Sequence, residues 1–589
     1  MKKLLLRCFR SPAFHKYTLI VSLLLMVPSL FIGYLTDDYF IMSNFQNNDF
    51  KPVFETDNSL FQLFSASDGT AEAKNHMVDN GILPWWTHND FRFKMFRPMA
   101  EVTHWLDATL WPSSQFMMHL QNLFWWAALL CVVLSFYRKY FSHSPVMLSI
   151  TFFIFAFDPN VAETLIWIAA RNTLMSVVFG LLALKFYENS RTSGGMAALA
   201  LSSICFAMGI ASSELGLSAG AFILSYAIFM DKGAYLQRAL SLIPYALIFF
   251  VWVYIYADGE HGAAASSKYV SPMSDPGLFV DLLAERVPAM LFQDMFKLPI
   301  HLIMGKTSVL AKSWIVAVLS LLVLAFVARA FIRSRIASYL MFGGLLSVLP
   351  IASTGDARVM IFVNFGLAPI MGYVLSQFLF VDLKASNWKV KLGRVGLGLI
   401  FSIHCLMIPL IPGAAVLGKF NLDASMVQPA LTLPIEDEGE TLIVINPYIS
   451  SLTSFFPAIR ALEPKILPAR MYSLVSGINP VQLTRVSETE IQLSSDKGLF
   501  AGKAELFTRP FQSSLFVGDT FEYEDLSVRV EALNDESLPS TITARFPLDV
   551  IKARGNWVIC EGDEWKKIKL PIVGDTVELQ KCTMSFIGG

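Results

Sequence analysis

The sequence predicts a polytopic α-helical membrane protein that carries a soluble, sandwich-like all-β domain at its C-terminal end. Of its 589 residues, 54% are hydrophobic and 16% are charged, whereas soluble domains average about 45–50% apolar and about 25% charged residues. Apolar runs long enough to cross a bilayer recur up to residue 415, and beyond it the runs become short and β-branched. We therefore predict a transmembrane domain at 1–415 and a soluble domain at 416–589.

About eleven transmembrane helices are predicted, because a spanning helix needs ~20 mainly apolar residues. The first is at 17–35. Since no small-residue cleavage site follows it, we interpret it as an uncleaved span rather than a signal peptide. The other predicted spans centre on 117–137, 145–157, 165–187, 196–212, 215–230, 239–256, 313–333, 337–353, 359–380 and 395–413.

Basic residues in the short loops predict the orientation, because Lys and Arg accumulate on the cytoplasmic side. If the N-terminus is cytoplasmic, every clear basic cluster between spans falls on the same side. The clusters are Lys2/Lys3/Arg7/Arg10, Arg138/Lys139, Lys185/Arg191, Lys232/Arg238, Arg329/Arg333/Arg335 and Lys384/Lys389/Lys391/Arg394. The loops at 36–112 and 257–312 and the soluble domain then face outward. From the compact loops we predict a bacterial inner membrane, with the β domain periplasmic.

The first outer loop contains a predicted amphipathic helix between Phe96 and Leu110. Apolar residues recur there at helical spacing, a pattern typical of a helix that lies on a membrane surface. The polar positions on its remaining surface are Arg97, Glu101, His104 and Asp107. We expect Trp85, Trp86 and Trp111 at the same depth, because aromatic rings settle at the headgroup level.

The predicted β domain is marked by short β-branched runs that Gly, Pro, Asn and Asp interrupt. The runs are at 441–445, 513–519, 526–530, 540–545 and 575–579. Cys560 and Cys582 lie in this domain and are able to pair if it faces an oxidising compartment. Two cysteines do not define a disulfide framework, so their pairing stays open.

Several functional classes are disfavoured by the sequence. The net charge of −1 provides no basic surface for nucleic acid. No glycine-rich loop of the kind that holds nucleotide phosphates precedes a helix. The nine histidines show no metal-ligand spacing, and His88, His104 and His119 are too dispersed to indicate a zinc site.

Asp37 and Asp38 stand where the first predicted span leaves the membrane on the outer side. Two adjacent carboxylates repel each other and lose part of their hydration near lipid, and both effects raise a carboxyl pKa. A carboxylate with a raised pKa is a better base near neutrality, so the pair is a candidate catalytic site. The plainer interpretation is that these acids only end a helix or lie in water.

Further charged residues occur at predicted membrane depth. On one continuous helix, Glu163, Trp167 and Arg171 share a face and look into one outer cavity. Charged groups at that depth usually face a polar cavity or a partner, so a structural ion pair is the alternative. Glu214 begins an outer-facing helix, where the helix dipole stabilises a carboxylate. Arg358 enters a span from the outer side, where snorkelling to the headgroups is its plainer explanation.

Several short segments follow one another in an order typical of one enzyme superfamily. They are Asp37-Asp38-Tyr39, Arg97-Pro98, Leu106-Asp107-Ala108-Thr109-Leu110-Trp111, His119-Leu120-Gln121-Asn122, Phe157-Asp158-Pro159-Asn160-Val161-Ala162-Glu163, Trp167-Ile168-Ala169-Ala170-Arg171, Ser213-Glu214, and Arg358 before Phe365-Gly366-Leu367. This order resembles the membrane half of the GT-C superfamily of polyprenyl-phosphate-sugar glycosyltransferases. The likeness covers roughly residues 15–380. It is greatest to the transmembrane, tetratricopeptide-repeat O-mannosyltransferases and their bacterial relatives.

The resemblance implies a sugar donor on polyprenyl phosphate that enters from the bilayer, with a carboxylate base in the first outer loop. It implies Asp38 or Asp37 as that base. The implied phosphate binders are Arg171, Arg97 and Arg358, with Arg171 first because a buried arginine most needs a functional reason for its position. The implied cavity residues that orient them are Glu163, Glu214 and His104. Some members of the superfamily use a divalent metal at the paired acids and others do not, so a metal stays open.

The sequence also departs from the family pattern. Asp158 stands before Pro159 where the family has histidine, and Asn172 stands where an acidic residue commonly follows the arginine. A β-rich domain replaces the tetratricopeptide array. The acceptor, whether glycan, lipid or protein, and the identity of the sugar therefore stay open.

Two other functions are compatible with the same features. A transporter or flippase of lipid-linked glycans would use the same outer cavity, but it favours inverted repeats and Gly/Pro-broken spans in matching halves. A non-catalytic scaffold would act through its β domain alone. Substitution of the Asp pair separates these alternatives from an enzyme, because only an enzyme needs the carboxylate for turnover.

Overall fold

The chain folds into two compact units in the computed structural model, which describes residues 2–45, 63–273, 275–297, 309–380, 388–500, 502–510 and 515–583. The membrane unit consists of residues 1–32, 97–259 and 271–417. The sheet unit consists of residues 33–96, 260–270 and 418–589. Most of the first predicted outer loop thus folds together with the C-terminal residues.

Helices build most of the membrane unit and parts of the sheet unit. In chain order they are α1 (Lys2–Arg10), α2 (Pro12–Met26), α3 (Asp37–Phe45), α4 (Ala71–Asp79), α5 (Pro98–Leu110), α6 (Gln115–Phe141), α7 (Pro145–Ala156), α8 (Pro159–Ile166), α9 (Arg171–Asn189), α10 (Gly195–Ser212), α11 (Leu217–Phe229), α12 (Tyr235–Asp258), α13 (Pro276–Phe296), α14 (Val309–Val327), α15 (Arg329–Ile332), α16 (Arg335–Leu346), α17 (Val348–Ala352), α18 (Ile361–Phe380), α19 (Trp388–Ser402), α20 (Ile411–Thr432), α21 (Ser450–Thr453) and α22 (Phe456–Leu462). Short 3-10 or π turns join several of them.

The chain is an integral membrane protein, as predicted. Within the described residues, six helical stretches are long and apolar enough to cross a membrane: Pro12–Phe31, Gln115–Phe141, Ile168–Ser212, Tyr235–Asp258, Arg335–Ala352 and Val395–Gly418. A seventh candidate is the pair α7 and α8, which is bent by 44°. Shorter apolar helices lie at Glu214–Phe229, Ile315–Val327 and Ile361–Gln377. The predicted count of about eleven spans is not confirmed.

The long stretch that contains α9 and α10 doubles back on itself. The chain reverses through the π turn Ser190–Gly194, and Gly195 then takes a φ of +56°, which glycine adopts without strain. Hydroxyl groups bridge the two helices: Ser176 donates to the Gly209 carbonyl at 2.9 Å, and Ser202 donates to the Ala183 carbonyl at 2.6 Å. These pairings show that α9 and α10 lie antiparallel.

The described part of the sheet unit contains three sheets. The strands are β1 (Ser65–Asp68), β2 (Arg92–Lys94), β3 (Gly262–Ala264), β4 (Thr441–Val444), β5 (Arg470–Ser473), β6 (Val481–Arg485), β7 (Glu490–Ser494), β8 (Thr520–Glu522), β9 (Ser527–Leu533), β10 (Pro539–Arg545), β11 (Gly555–Glu561), β12 (Glu564–Lys567) and β13 (Thr576–Leu579). The sheet orders are β1-β2-β3, β13-β6-β7-β10-β9-β8 and β12-β11-β4-β5. The six-stranded sheet is antiparallel throughout.

The predicted β-sheet region is present, but it is not the predicted all-β domain. β4 pairs in parallel with both β5 and β11. Parallel strands need a crossover connection, usually helical, and α21 and α22 supply it between β4 and β5. All four residues of β4 are buried, which explains why its sequence reads as a continuous apolar run rather than an alternating one.

Most of the predicted strand positions agree with the structure. The runs at 441–445, 526–530, 540–545 and 575–579 coincide with β4, β9, β10 and β13. The strand predicted at 513–519 is wrong for residues 515–519, which form a turn before β8. Residues 513 and 514 lie outside the described residues. Gly518, with a φ of +95°, explains the turn, because that conformation is unfavourable in a strand.

Trp85 and Trp86 occupy the interior of the sheet unit, so their predicted position at the membrane surface is wrong. They are 1% and 0% exposed. Their indole N–H groups donate to the carbonyls of Leu474 at 2.8 Å and Glu505 at 2.9 Å. An aromatic ring with a polar N–H suits either a headgroup region or a hydrogen-bonded core, and the structure selects the core.

Cys560 and Cys582 form a disulfide in the sheet unit, which resolves the pairing that the sequence left open. Replacing both by serine is expected to lower the free energy of unfolding by ~3 kcal/mol, the chain-entropy value for a loop of roughly twenty residues. Thermal unfolding of the purified chain measures this loss, and Cys8→Ser, at an exposed unpaired cysteine, is the control. In denaturant without reductant, the pairing leaves four of the six cysteines free to react with a thiol reagent. Reaction of all six would contradict the pairing.

Candidate functional site

Asp37 and Asp38 begin α3 and lie in the sheet unit. Asp38 is 1% exposed, and the backbone N–H of Leu35 donates to its Oδ2 at 3.0 Å. Asp37 is exposed. Carboxylates in the first helical turn are stabilised by the N–H groups that lack helical partners there. The two adjacent acids therefore lie in different surroundings, with Asp38 protected from water and Asp37 in contact with it.

Aromatic contacts hold α3 against the rest of the sheet unit. α3 packs on α22, and the rings of Phe40 and Phe455 lie 5.1 Å apart. Tyr39, the residue after the acids, makes an edge contact with Tyr34 at 5.7 Å. Offset and edge contacts of this kind add stability beyond the area that they bury. The helix that presents the acids is thus fixed in position.

The predicted amphipathic helix exists as α5, but its polar face points inward. Glu101, His104 and Asp107 are 2%, 0% and 0% exposed, while Trp105 and Leu110 are 44% and 60% exposed. The predicted placement of this helix on the membrane surface is therefore wrong for Glu101 and Asp107, whereas the implied cavity role of His104 stays a prediction. In a membrane protein the apolar face of a helix meets lipid, and charged residues face the interior of the bundle. Burial, with the charge of Arg171, holds the pKa of His104 well below its usual value.

Arg171, at the start of α9, is enclosed by partners from the membrane unit. Its side chain is 0% exposed, as is that of Asp107. Nη1 donates to Asp107 Oδ2 at 2.5 Å, Nε to Asn122 Oδ1 at 2.7 Å and Nη2 to the Met118 carbonyl at 3.0 Å. A buried arginine needs such a set of acceptors. The ion pair joins α5 to α9 and accounts for Arg171 without a ligand.

Glu163 and Arg171 do not share a helix, so the predicted common face is wrong. α8 ends at Ile166, and Trp167 takes an extended conformation with φ −109° and ψ 113°. A 3-10 turn, Ile168–Ala170, follows before α9 begins. This break removes the helical spacing on which the prediction depended. Glu163 is exposed, whereas Arg171 is enclosed.

Arg97 and Glu214 meet, although 117 positions separate them in the sequence. Nη2 and Nε of Arg97 donate to Glu214 Oε2 at 2.9 and 3.1 Å. The Tyr256 hydroxyl donates to Oε1 of the same carboxylate. The side chains of Arg97 and Glu214 are 19% and 24% exposed, so this cluster reaches the surface of the membrane unit.

Arg358 lies in the 3-10 turn Ala357–Val359 and is held on two sides. Nε lies 2.9 Å from Asp356 Oδ2, and the guanidinium carbon lies 4.4 Å from the centre of the Trp167 ring. An arginine over an aromatic face gains about 0.5–2 kcal/mol and keeps its edge for hydrogen bonds. With 17% of its side chain exposed, Arg358 is positioned by protein contacts and still reached by solvent.

Sequence reasoning missed Arg286, on α13. Its Nη1 donates to the carbonyls of Ala352 and Ser353 at 2.9 and 3.0 Å. α13 also packs against the turn that carries Arg358. Arg286 and Arg358 therefore border the same connection, 353–356. The sequence feature that could have identified Arg286 is a charged residue inside the partly apolar loop at 257–312.

Sequence reasoning also missed a buried charged cluster at the end of α13. Lys297 Nζ lies 3.0 Å from Asp158 Oδ2 and 3.0 Å from Asp294 Oδ1. All three side chains are 0–2% exposed. Asp294 and Lys297 stand in a mostly apolar run, and charges in such a run are costly unless they are paired. Their position in that run was the available signal. In the described residues, no group of three or more His, Cys, Asp or Glu side chains is arranged to hold a metal ion.

No protein-family model matches the sequence. The search of curated proteins gave no match either.

Solved structures give distant matches. AftD, an arabinofuranosyltransferase from Mycobacteria, is 15% identical over 74% of this chain with a TM-score of 0.32, and this chain spans 30% of the AftD length. ArnT from Cupriavidus metallidurans bound to undecaprenyl phosphate is 13% identical, with coverage of 78% of this chain and 86% of ArnT and a TM-score of 0.34. The same protein in its apo state is 12% identical, covers 71% and 86%, and has a TM-score of 0.28.

All three matches have TM-scores of 0.34 or below. They are too distant to specify a donor, an acceptor or a catalytic residue for this chain. Function is therefore inferred from the residues of the chain itself.

Proposed function

We propose that the chain is a membrane glycosyltransferase that moves a sugar from a polyprenyl-phosphate donor to an extracytoplasmic acceptor hydroxyl. The observation that carries the proposal is the Asp37-Asp38 pair at a fixed helix start, placed first in the ordered GT-C-like motif series. One carboxylate of this pair is protected from water and anchored by a backbone N–H. A placed carboxylate is the group that such a transfer needs in order to activate a hydroxyl.

Asp38 is the proposed base. It takes the proton from the acceptor hydroxyl while the hydroxyl oxygen forms a bond to the anomeric carbon of the sugar. The bond between that carbon and the lipid phosphate oxygen breaks, and the phosphate leaves with the electron pair. Proton removal by a positioned carboxylate contributes ~10²–10⁴ in rate. Asp37, exposed to water, is assigned no proton transfer.

Arg358 and Arg97 are the proposed phosphate binders. The leaving phosphate needs fixed positive charge, and the guanidinium fork suits phosphate oxygens. Both arginines are partly exposed and oriented by neighbours, Asp356 with Trp167 for one and Glu214 for the other. Arg171 is assigned instead to positioning α5, because its partners already enclose it.

An apolar groove of the membrane unit is the proposed site for the polyprenyl chain. Its lining residues are Phe296, Leu319, Ser320, Val323, Leu324, Val327, Val374, Leu397 and Ile400. The cavity volume is about 280 Å³. A hydrocarbon chain gains roughly 0.8 kcal/mol for each CH₂ that it buries, so an apolar groove suits an isoprenoid better than a sugar. No polar side chain other than Ser320 lines it among the described residues.

The test is release of polyprenyl phosphate from a panel of radiolabelled polyprenyl-phosphate sugars by the purified chain in bilayers, with and without candidate acceptors. Lipid phosphate released in step with sugar transfer supports the proposal. Movement of intact donor across the bilayer, with no phosphate released, would replace it with a flippase. Neither activity, together with a loss of the protein's cellular role on deletion of 416–589 alone, would replace it with a scaffold.

Replacing Arg358 by glutamine is expected to lower kcat/KM for the donor about tenfold to about a hundredfold. One charge-assisted hydrogen bond contributes ~1.5–3 kcal/mol, and the loss appears in kcat/KM. Arg329→Gln, at an exposed arginine of α15, is the matched control and is expected to leave kinetics unchanged. A folded Arg358→Gln variant with wild-type kcat/KM would remove Arg358 from the donor site.

The cytoplasmic N-terminus, the bacterial inner membrane, the periplasmic face of the sheet unit and the span count of about eleven remain part of the proposal. Nucleotide-linked sugars are not available outside the cytoplasm, so an outward-facing reaction needs a lipid-linked donor. The acceptor is a glycan, lipid or protein hydroxyl. A divalent metal at the acid pair is tested by assaying turnover after chelation and again after magnesium or manganese is restored.

A further inference from the structure

We propose that Asp158, Asp294, Lys297 and Asn364 form a buried proton-binding site, in which Asp294 holds the proton and Asp158 is the carboxylate that pairs with Lys297. The inference does not depend on the proposed function. It rests on the charge of the cluster and on the way its hydrogen bonds are distributed.

The cluster brings together parts of the membrane unit that are distant in sequence. Asp158 caps α8, Asp294 and Lys297 lie at the end of α13, and Asn364 lies in α18. Asn364 is 0% exposed, as is Asp294. With both carboxyl groups ionised, two negative charges face one positive charge. A net charge of this kind in an apolar interior is costly, and neutralising one group is the usual outcome.

Asp158 has the surroundings of an ionised carboxylate. The backbone N–H of Asn160 donates to Oδ1 at 3.0 Å. Lys297 Nζ lies 3.0 Å from Oδ2, and Asn364 Nδ2 donates to the same oxygen at 2.5 Å. Three donors directed at one carboxyl group favour its charged form.

Asp294 has different surroundings. Lys297 Nζ donates to Oδ1 at 3.0 Å, whereas Oδ2 is buried without a hydrogen-bond partner. Asn364 Oδ1 is also buried without a partner. A proton on Asp294 Oδ2 would remove the excess charge and turn an unpartnered acceptor into a donor.

Among the described residues, His404 and Tyr137 are further titratable groups that interact electrostatically with the cluster. His404 Nε2 lies 3.0 Å from the Met295 carbonyl and Nδ1 lies 3.0 Å from the Ile400 carbonyl. The Tyr137 hydroxyl donates to the Phe365 carbonyl at 2.9 Å. Burial raises the pKa of Asp294 to about 6; the charge of Lys297 opposes this rise, and the charge of Asp158 adds to it.

Infrared difference spectroscopy of the full chain in bilayers tests the proposal directly. Spectra at about pH 5 and about pH 8 bracket the pKa of about 6. The wild type minus Asp294→Asn difference should contain a carboxylic-acid C=O band that shifts in D₂O and disappears at the higher pH. Asp281→Asn, an exposed position on the same helix, should leave that band in place. Absence of the band in the wild type would overturn the proposed proton site and move the proton to His404. Persistence of the band in Asp294→Asn would also overturn the proposal that Asp294 holds the proton.

Thermal unfolding supplies an independent measurement. The raised pKa of Asp294 means that its stabilising contribution is complete at low pH and is lost as pH rises through the folded-state pKa. The wild type should therefore lose stability relative to Asp294→Asn as pH rises, with equal stability at the acid end. If Asp294→Asn is much less stable than the wild type at the acid end, Asp294 is an ionised partner of Lys297 and the proposal fails.

A bound metal cation, in place of a proton, would also offset the excess negative charge of the cluster. Replacing sodium and potassium by choline at constant ionic strength separates the two. A wild type that is destabilised by this exchange, when Asp294→Asn is not, would identify a bound metal cation and overturn the proton site. Equal behaviour of the two proteins supports the proton.

Discussion

Replacing Asp38 by asparagine is expected to lower donor turnover by ~10²–10⁴-fold, the contribution of a positioned carboxylate base. Asparagine keeps the shape of the side chain and retains an oxygen that accepts the Leu35 N–H, so the start of α3 should persist. The measurement is polyprenyl phosphate released per unit time at saturating donor and acceptor. An unchanged unfolding temperature confirms that the variant is folded.

Asp37→Asn is the matched control, because it makes the same chemical change one residue away. Asp37 is exposed where Asp38 is 1% exposed, so its replacement is expected to cost far less than the Asp38 change. Equal losses in both variants would mean that the acids act as one coupled pair. Loss in Asp37→Asn alone would make the exposed acid the base and leave Asp38 a helix-start residue. Full activity in both would exclude the proposed mechanism.

Replacing Arg171 by methionine is expected to lower the free energy of unfolding by about 3–5 kcal/mol, the usual effect of removing one partner of a buried ion pair. Asp107, 0% exposed, would be left buried without the cation that pairs with it. Asn122 Oδ1 and the Met118 carbonyl would lose their donor at the same time. Thermal unfolding of the purified chain in detergent, followed by tryptophan fluorescence, measures the effect.

The double variant Arg171→Met/Asp107→Asn removes both charges and is expected to recover part of this stability. Glu163→Gln is the control. The continuous-helix prediction placed Glu163 in the same cavity as Arg171, whereas the structure leaves Glu163 exposed. Wild-type stability in Arg171→Met would contradict the structural role. A loss in Glu163→Gln as large as that in Arg171→Met would restore the predicted shared cavity.

The sequence predicted the membrane character, the helix now described as α5, and most of the strand positions. These features follow from local composition and from spacing along one element, which a single chain displays directly. The start of α3 at the Asp pair was not predicted, because the plainer interpretation of these acids was that they end a helix or lie in water. The GT-C resemblance used the same local information, as an ordered series of short segments.

The spacing of residues along one helix did not predict which helix faces contact each other. The pattern of α5 separates its apolar and polar sides, yet it does not say that the polar side faces inward onto Arg171. The ion pair between Asp107 and Arg171 spans 64 positions, and that between Arg97 and Glu214 spans 117. Periodicity within one helix contains no information about a partner on another.

The sequence by itself determined that the chain enters a membrane and that a β-sheet region follows the apolar spans, because burial in lipid and pairing in sheets each impose a period on the chain. Only the tertiary structure decided that the helical path breaks at Trp167, that Trp85 and Trp86 are core residues, and that Arg171 already has its partner. Those outcomes depend on desolvation and charge pairing between distant segments. The free energy of a buried charge is set by what surrounds it and not by its neighbours in sequence.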